Sequence, residues 1–131
     1  FAAETTVDET LVKKYIDLIA ETRHVDREKL TGFEQMIVGS VNAKTPEERI
    51  IWAQKQAYIA LGVLSAAAAD FKIDACSMEG FSPAAFDELL GLKEKGLTAT
   101  VIAAVGFRSD ADVYSKTLKV RKPNAELFIR V

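Results

Sequence analysis

Two short stretches carry residue types and spacings that can do chemistry. The first is Ser77-Met78-Glu79-Gly80, inside "ACSMEGFSP", residues 75 to 83. It follows an apolar segment and precedes a helix start. A glycine between Glu79 and Phe81 can serve a tight turn, or it can let a flat ligand lie against bare backbone. The second is Lys119-Val120-Arg121, within 116 to 122, where Lys116, Lys119, Arg121 and Lys122 stand with no acid among them. On an extended segment Lys119 and Arg121 point the same way, roughly 6.5–7 Å apart. Their tips can converge on one phosphate, Arg as a forked donor and Lys as a point charge. The same charges can instead keep an edge strand soluble.

Other chemistries have little to build on. With one histidine, His24, and one cysteine, Cys76, neither a His-based metal cluster nor an internal disulfide can form. Cys76 reads as a small buried hydrophobe, since no basic neighbour or resolving thiol is visible. His24 and Arg23 suit a solvated helix C-terminus. Asp110 and Asp112 read as loop residues, Trp52 and Tyr58 as core or interface. A net charge of −2 gives no pull toward nucleic acid or anionic membrane. The cysteine usage favours a reduced, cytoplasmic setting.

The elements that must position these residues fit one domain of 131 residues. Leu11, Tyr15, Ile16, Leu18 and Ile19 predict a helix over 8–23, and Leu30, Phe33, Met36, Ile37 and Val41 a second over 26–41. Thr45, Pro46 and Glu48 form a capping box opening a helix to about Asp70. Its second half is apolar nearly all round but too short in its uncharged part to span a bilayer, so burial is expected. Gly62, Ser65 and the alanines at 66–69 suit close packing, internal or between subunits. "FKID" predicts a short strand. Ser82 and Pro83 open a helix that Gly91 ends. "LTATVIAAVGF" predicts one central strand, and "LKVRKPNAELFIRV" an extended tail in which Pro123 excludes helix. "FAAETT" reads as the end of a strand. The fold class is α+β, helices covering a mixed sheet.

In this order and spacing, "WAQKQAYIALG", "IDACSMEGF", "LGLKEKG", "AAVGFRSDAD" and "LKVRKP" resemble the C-terminal part of the FMN-dependent nitroreductase family of NAD(P)H oxidoreductases. The resemblance implies an intertwined homodimer with FMN at each subunit junction. It implies that the turn of Ser77, Met78, Glu79 and Gly80 lies on one flavin face, with the Glu79 and Gly80 N–H groups at the N5–O4 edge. Lys119 and Arg121 would take the FMN phosphate, and Gln56 would reach the partner's flavin. The family's Arg-x-Ser phosphate motif does not occur here, and Cys76-Ser77 stands where many relatives have Cys-Pro. Residues 1–131 are therefore expected to be the C-terminal portion of one nitroreductase-like domain. The implied activity is hydride transfer from NADH or NADPH through flavin N5 to a nitroaromatic, quinone or similar small acceptor, with no catalytic side chain from this chain. The reading from another class is a non-catalytic dimerisation or binding module that keeps the helical interface without flavin.

Overall fold

The computed structural model describes every residue from Phe1 to Val131. Strand β1, Ala2–Glu4, leads into helix α1, Glu9–Arg23. Asp8 starts α1 by accepting from the Leu11 N–H at 3.0 Å, and His24 stops it in the left-handed conformation at φ 53°. The buried stripe is Val12, Ile16 and Ile19. Tyr15 and Leu18, expected inward, face solvent. The expected second helix begins instead as a 3₁₀ turn at Arg27–Leu30, and α2 proper covers Thr31–Asn42. Arg27 ties α1 to α2 by pairing with Asp17 at 2.6 Å and Glu34 at 2.7 Å.

Helix α3, Pro46–Asp70, starts with the capping box its sequence encodes. The Glu48 N–H donates to Thr45 Oγ1 at 3.3 Å, and the Thr45 N–H donates to the Glu48 carboxylate at 2.8 Å. Ala53, Ala57, Leu61 and Ala68 are its buried face, and it packs on β1 and on β2, Asp74–Met78. The helix is not buried all round, because Ile59 and Val63 are more than 60% exposed. The expected "FKID" strand is displaced: the N–H groups of Phe71, Lys72 and Ile73 all donate back to α3 carbonyls, and Lys72 is left-handed at φ 57°. The helix end uses those residues, so the strand starts at Asp74.

After β2 come α4, Pro83–Leu90, then β3, Leu97–Ala99, and β4, Ile102–Gly106. "LTATVIAAVGF" is therefore two strands. β3 pairs antiparallel with β1, and β4 with β2. The chain changes partner at Thr100–Val101, whose N–H groups both turn to the Phe1 carbonyl. The β1–β3 ribbon carries the buried Ala3 and Ala99, whereas the β2–β4 ribbon, which takes most of the expected central strand, is largely exposed. All five residues of β2 are exposed, which corrects the expectation for Cys76: its thiol is not buried. In the tail, Pro123 precedes a short helix α5, Asn124–Leu127, and accepts from the Glu126 and Leu127 N–H groups. A residue without an N–H costs nothing at a helix start, so Pro123 does not exclude helix after it.

The main core joins Ala3, Val7, Val12, Ile16, Ile19, Val41 and Ala53. One buried acid, Asp87 on α4, accepts from the Ala99 N–H at 2.7 Å and the Thr98 hydroxyl at 2.9 Å, fastening α4 to β3. The α+β class holds. Only 13 of 131 residues are buried, and the chain exposes 10,416 Å². A compact monomer of this mass exposes about 6,800 Å², so much apolar surface has no partner within the chain.

Candidate functional site

The bend at 79–80 is held from both sides. Before it, Met78 pairs with Ile102 at the end of the β2–β4 ribbon. After it, the Ser82 hydroxyl accepts from the Ala85 N–H to cap α4, and Phe81 packs edge-on against Phe86 with centroids 5.1 Å apart. Between these anchors the Phe81 N–H donates to the Glu79 carbonyl at 2.8 Å. The N–H groups of Glu79 and Gly80 find no acceptor in the chain. Gly80 lacks the positive φ that demands glycine, and a Cβ built there meets nothing within 4 Å. The turn itself does not require glycine at position 80. A side chain there would intrude only on something outside the chain.

Ser77 sits opposite Ala103 on the ribbon. Met78 lines an apolar cleft of about 510 Å³ with Phe1, Phe86, Leu90 and Ile102 among its walls. The Glu79 carboxylate accepts a hydrogen bond from the Tyr58 hydroxyl of α3. That bond is the main reason the Tyr58 phenol is pushed above its ordinary value. Gln56 lies exposed on α3, two residues before Tyr58.

Lys119 lines a groove of about 500 Å³ beside the other end of the ribbon, with Asp74, Cys76, Arg108 and Tyr114. Here Arg108 grips Asp74 by two bonds, Nε to Oδ2 at 2.6 Å and Nη2 to Oδ1 at 2.8 Å. These bonds hold the Asp74 carboxyl below the usual range against the opposing effect of desolvation, and the charges of Arg108 and Lys119 act in the same direction as the bonds. Arg121 lies outside this groove and donates to the Val120 carbonyl. The chain thus places Lys119 and Gly80 toward opposite ends of β2 rather than in one cavity. The cleft at Met78 and the groove at Lys119 share Ala104 as a wall.

Sequence reasoning missed Tyr58, Asp74 and Arg108 as members of this region. The only local signal was a tyrosine on a largely apolar helix, whose hydroxyl needs a polar partner. Side chains that could hold a metal, three or more His, Cys, Asp or Glu together, are not assembled anywhere. No helix is long and apolar enough to cross a membrane.

The fold, the bend and the basic tail define an α+β chain built around an amide-lined turn at a ribbon end. The Nitroreductase family description matches residues 4–107, and the chain belongs to that family. It is 30% identical, over 94% of its length, to the oxygen-insensitive NAD(P)H nitroreductase of Enterobacter cloacae, of which it covers 58%. It is 30% identical, over 79% of its length, to the major NAD(P)H-flavin oxidoreductase of Aliivibrio fischeri, of which it covers 48%. A putative NAD(P)H nitroreductase of Bacillus subtilis is 43% identical over 44% of the chain, which covers 28% of it. The chain spans about half the length of the curated relatives it matches.

Proposed function

We propose that residues 1–131 are the C-terminal portion of a nitroreductase-like domain in an FMN-dependent NAD(P)H oxidoreductase that works as a homodimer. One observation carries the reading. Two consecutive free N–H groups, of Glu79 and Gly80, flank a position where the fold tolerates a side chain but the sequence has none. That donor set fits the electron-rich edge of a flavin, and the bare backbone allows its flat ring to approach.

When bound, FMN supplies the redox chemistry, taking hydride at N5 from NADH or NADPH and passing it to a nitroaromatic, a quinone or a similar small acceptor. The residues of this chain bind and orient. Ser77 and Met78 would hold the bend against one face of the ring. The Glu79 and Gly80 amides would donate to its edge and favour negative charge there. Lys119 and Arg121 would neutralise the phosphate, and Gln56 would contact the flavin of the partner subunit. No side chain of this chain is needed as acid, base or nucleophile.

The excess surface, roughly half as much again as a compact monomer of this mass exposes, is left for the rest of the domain and for the partner subunit to cover. Exposed Ile59 and Val63 on α3, together with Phe128 and Ile129 of the tail, are the faces such a partner would cover. The single unpaired Cys76 supports a reducing compartment, the cytoplasm.

The test is direct. Purified full-length protein is expected to be yellow, to release FMN on denaturation, and to bleach with NADH or NADPH until an acceptor restores the colour. A colourless dimer that takes up no FMN would overturn the oxidoreductase reading in favour of a non-catalytic dimerisation module.

A further inference from the structure

We propose that Tyr58 is a positioning residue for the 77–80 bend: its hydroxyl tethers the Glu79 carboxylate to α3, so that the carboxylate neither folds onto the free Glu79 and Gly80 N–H groups nor faces the ligand they bind. The proposal rests on the FMN reading above.

Glu79 is the only acid between residues 75 and 83, and it belongs to the same bend as the two free donors. A carboxylate so near unpaired amides is their nearest competing acceptor, since polar side chains in turns readily bond adjacent backbone. Left loose, it would also stand close to a ring that gains negative charge on reduction, and like charges a few ångströms apart oppose that gain. No cation restrains it, because Glu79 enters none of the ion pairs of the chain. Its partner is the Tyr58 hydroxyl, 21 residues earlier.

Tyr58 is well placed to hold it. It sits mid-way along a 25-residue helix capped at Thr45, directly after buried Ala57 and three before buried Leu61. The phenol is therefore presented by a fixed backbone, with its tip reaching the bend. The upward displacement of the phenol proton's affinity fits a carboxylate acceptor, which favours the protonated hydroxyl. The tether gives the Glu79 side chain a task compatible with a backbone role for its amide.

The experiment is a double-mutant cycle in the full-length protein: wild type, Tyr58→Phe, Glu79→Ala and both together. Two quantities are read, the FMN Kd by fluorescence quenching and the Tyr58 titration by ultraviolet absorbance without flavin. Tyr58→Phe is expected to raise the FMN Kd about fivefold, the scale of one exposed hydrogen bond to a charged acceptor. In the Glu79→Ala background it is expected to change nothing, because no carboxylate remains to be restrained. The phenol of wild type is expected to titrate above its value in Glu79→Ala. An equal loss of affinity in both backgrounds, or no loss in either, overturns the proposal, since Tyr58 then acts by packing or not at all. A phenol that titrates alike with and without Glu79 overturns it too. A wild type that binds no FMN, yet shows the expected phenol titration, sinks the oxidoreductase reading and with it the ligand half of this proposal, leaving the tether standing.

Discussion

Asp74 and Arg108 close the end of the β2–β4 ribbon with a forked ion pair, two hydrogen bonds of 2.6 and 2.8 Å between side chains 34 residues apart. Asp74 opens β2, and Arg108 lies two residues beyond its register partner Gly106. The ribbon is two-stranded and its β2 strand is exposed, so this pair adds a side-chain tie where burial supplies little.

The pair makes stability depend on pH in one direction. Arg108 lowers the Asp74 pKa below 3.8, so the folded chain binds fewer protons there than the unfolded chain. The stabilisation is complete above the ordinary carboxylate value and fades as the pH falls through the lower, folded value. Urea midpoints at fixed low salt are expected to owe nothing to Asp74 titration between pH 5 and 7, about a unit or more above the ordinary value, and to drop below that value. Asp74→Asn is expected to be less stable at neutral pH with a shallower acid decline. Both groups are half exposed, so the effect is modest and high salt flattens it. An unchanged acid slope in Asp74→Asn would show that the pair does not hold in solution.

Gly80 and Gly91 give opposite answers to the same substitution. Gly91 ends α4 in the left-handed conformation at φ 58°, and a Cβ there would come within 2.9 Å of the Glu94 carboxylate. Gly91→Ala is expected to cost about 1 kcal/mol. Gly80→Ala is expected to leave the denaturation midpoint near wild type, because the added Cβ meets open space. Its FMN affinity is nevertheless expected to fall severalfold. Denaturant curves and flavin titrations on both variants separate the two roles, and a Gly80→Ala protein that binds FMN normally would reduce the glycine to an accident of the turn.

Helix starts were legible because capping is local: Asp8, Thr45 and Ser82 each bond an N–H three residues on. Strand pairing was not. The apolar run from Leu97 looks continuous, yet it breaks where Thr100 and Val101 turn to the Phe1 carbonyl, about a hundred residues away in the chain. The residue types of the candidate site could be read from the sequence; their supports could not. Nothing near Asp74 announces Arg108, and nothing near Glu79 announces Tyr58, since both contacts depend on how α3, β2 and β4 come together. Cys76 was misjudged for the same reason, because burial is decided by what covers a strand rather than by the residue.

Asp87 illustrates a support that no sequence pattern singles out. It reads as one of two adjacent acids in "AAFDELL", yet it is the one buried acid and receives both the Ala99 N–H and the Thr98 hydroxyl. Removing it leaves a buried N–H without an acceptor. Asp87→Ala is expected to destabilise the chain by about 2–3 kcal/mol. Thr98→Ala removes only the hydroxyl donor and is expected to cost about 1 kcal/mol. Equal losses from the two variants would mean that water replaces Asp87 at the Ala99 amide.

The basic pair can be tested against its own electrostatics. Lys119 shares a groove with Asp74 and Arg108, but Arg108 already neutralises Asp74, which leaves the Lys119 charge available to an incoming anion. If that anion is the FMN phosphate, Lys119→Ala is expected to raise the FMN Kd about tenfold, the scale of one charge-assisted hydrogen bond. Riboflavin has the same ring and no phosphate, so its affinity is expected to be indifferent to the substitution. Arg121, whose guanidinium in this chain meets only the Val120 carbonyl, is expected to show the same selectivity once flavin is bound. Equal losses for FMN and riboflavin would move Lys119 away from the phosphate and toward a role in keeping the ribbon soluble. An FMN-selective loss that shrinks as salt rises would place its charge at the phosphate, because screening weakens a charge contact and leaves ring packing unaltered.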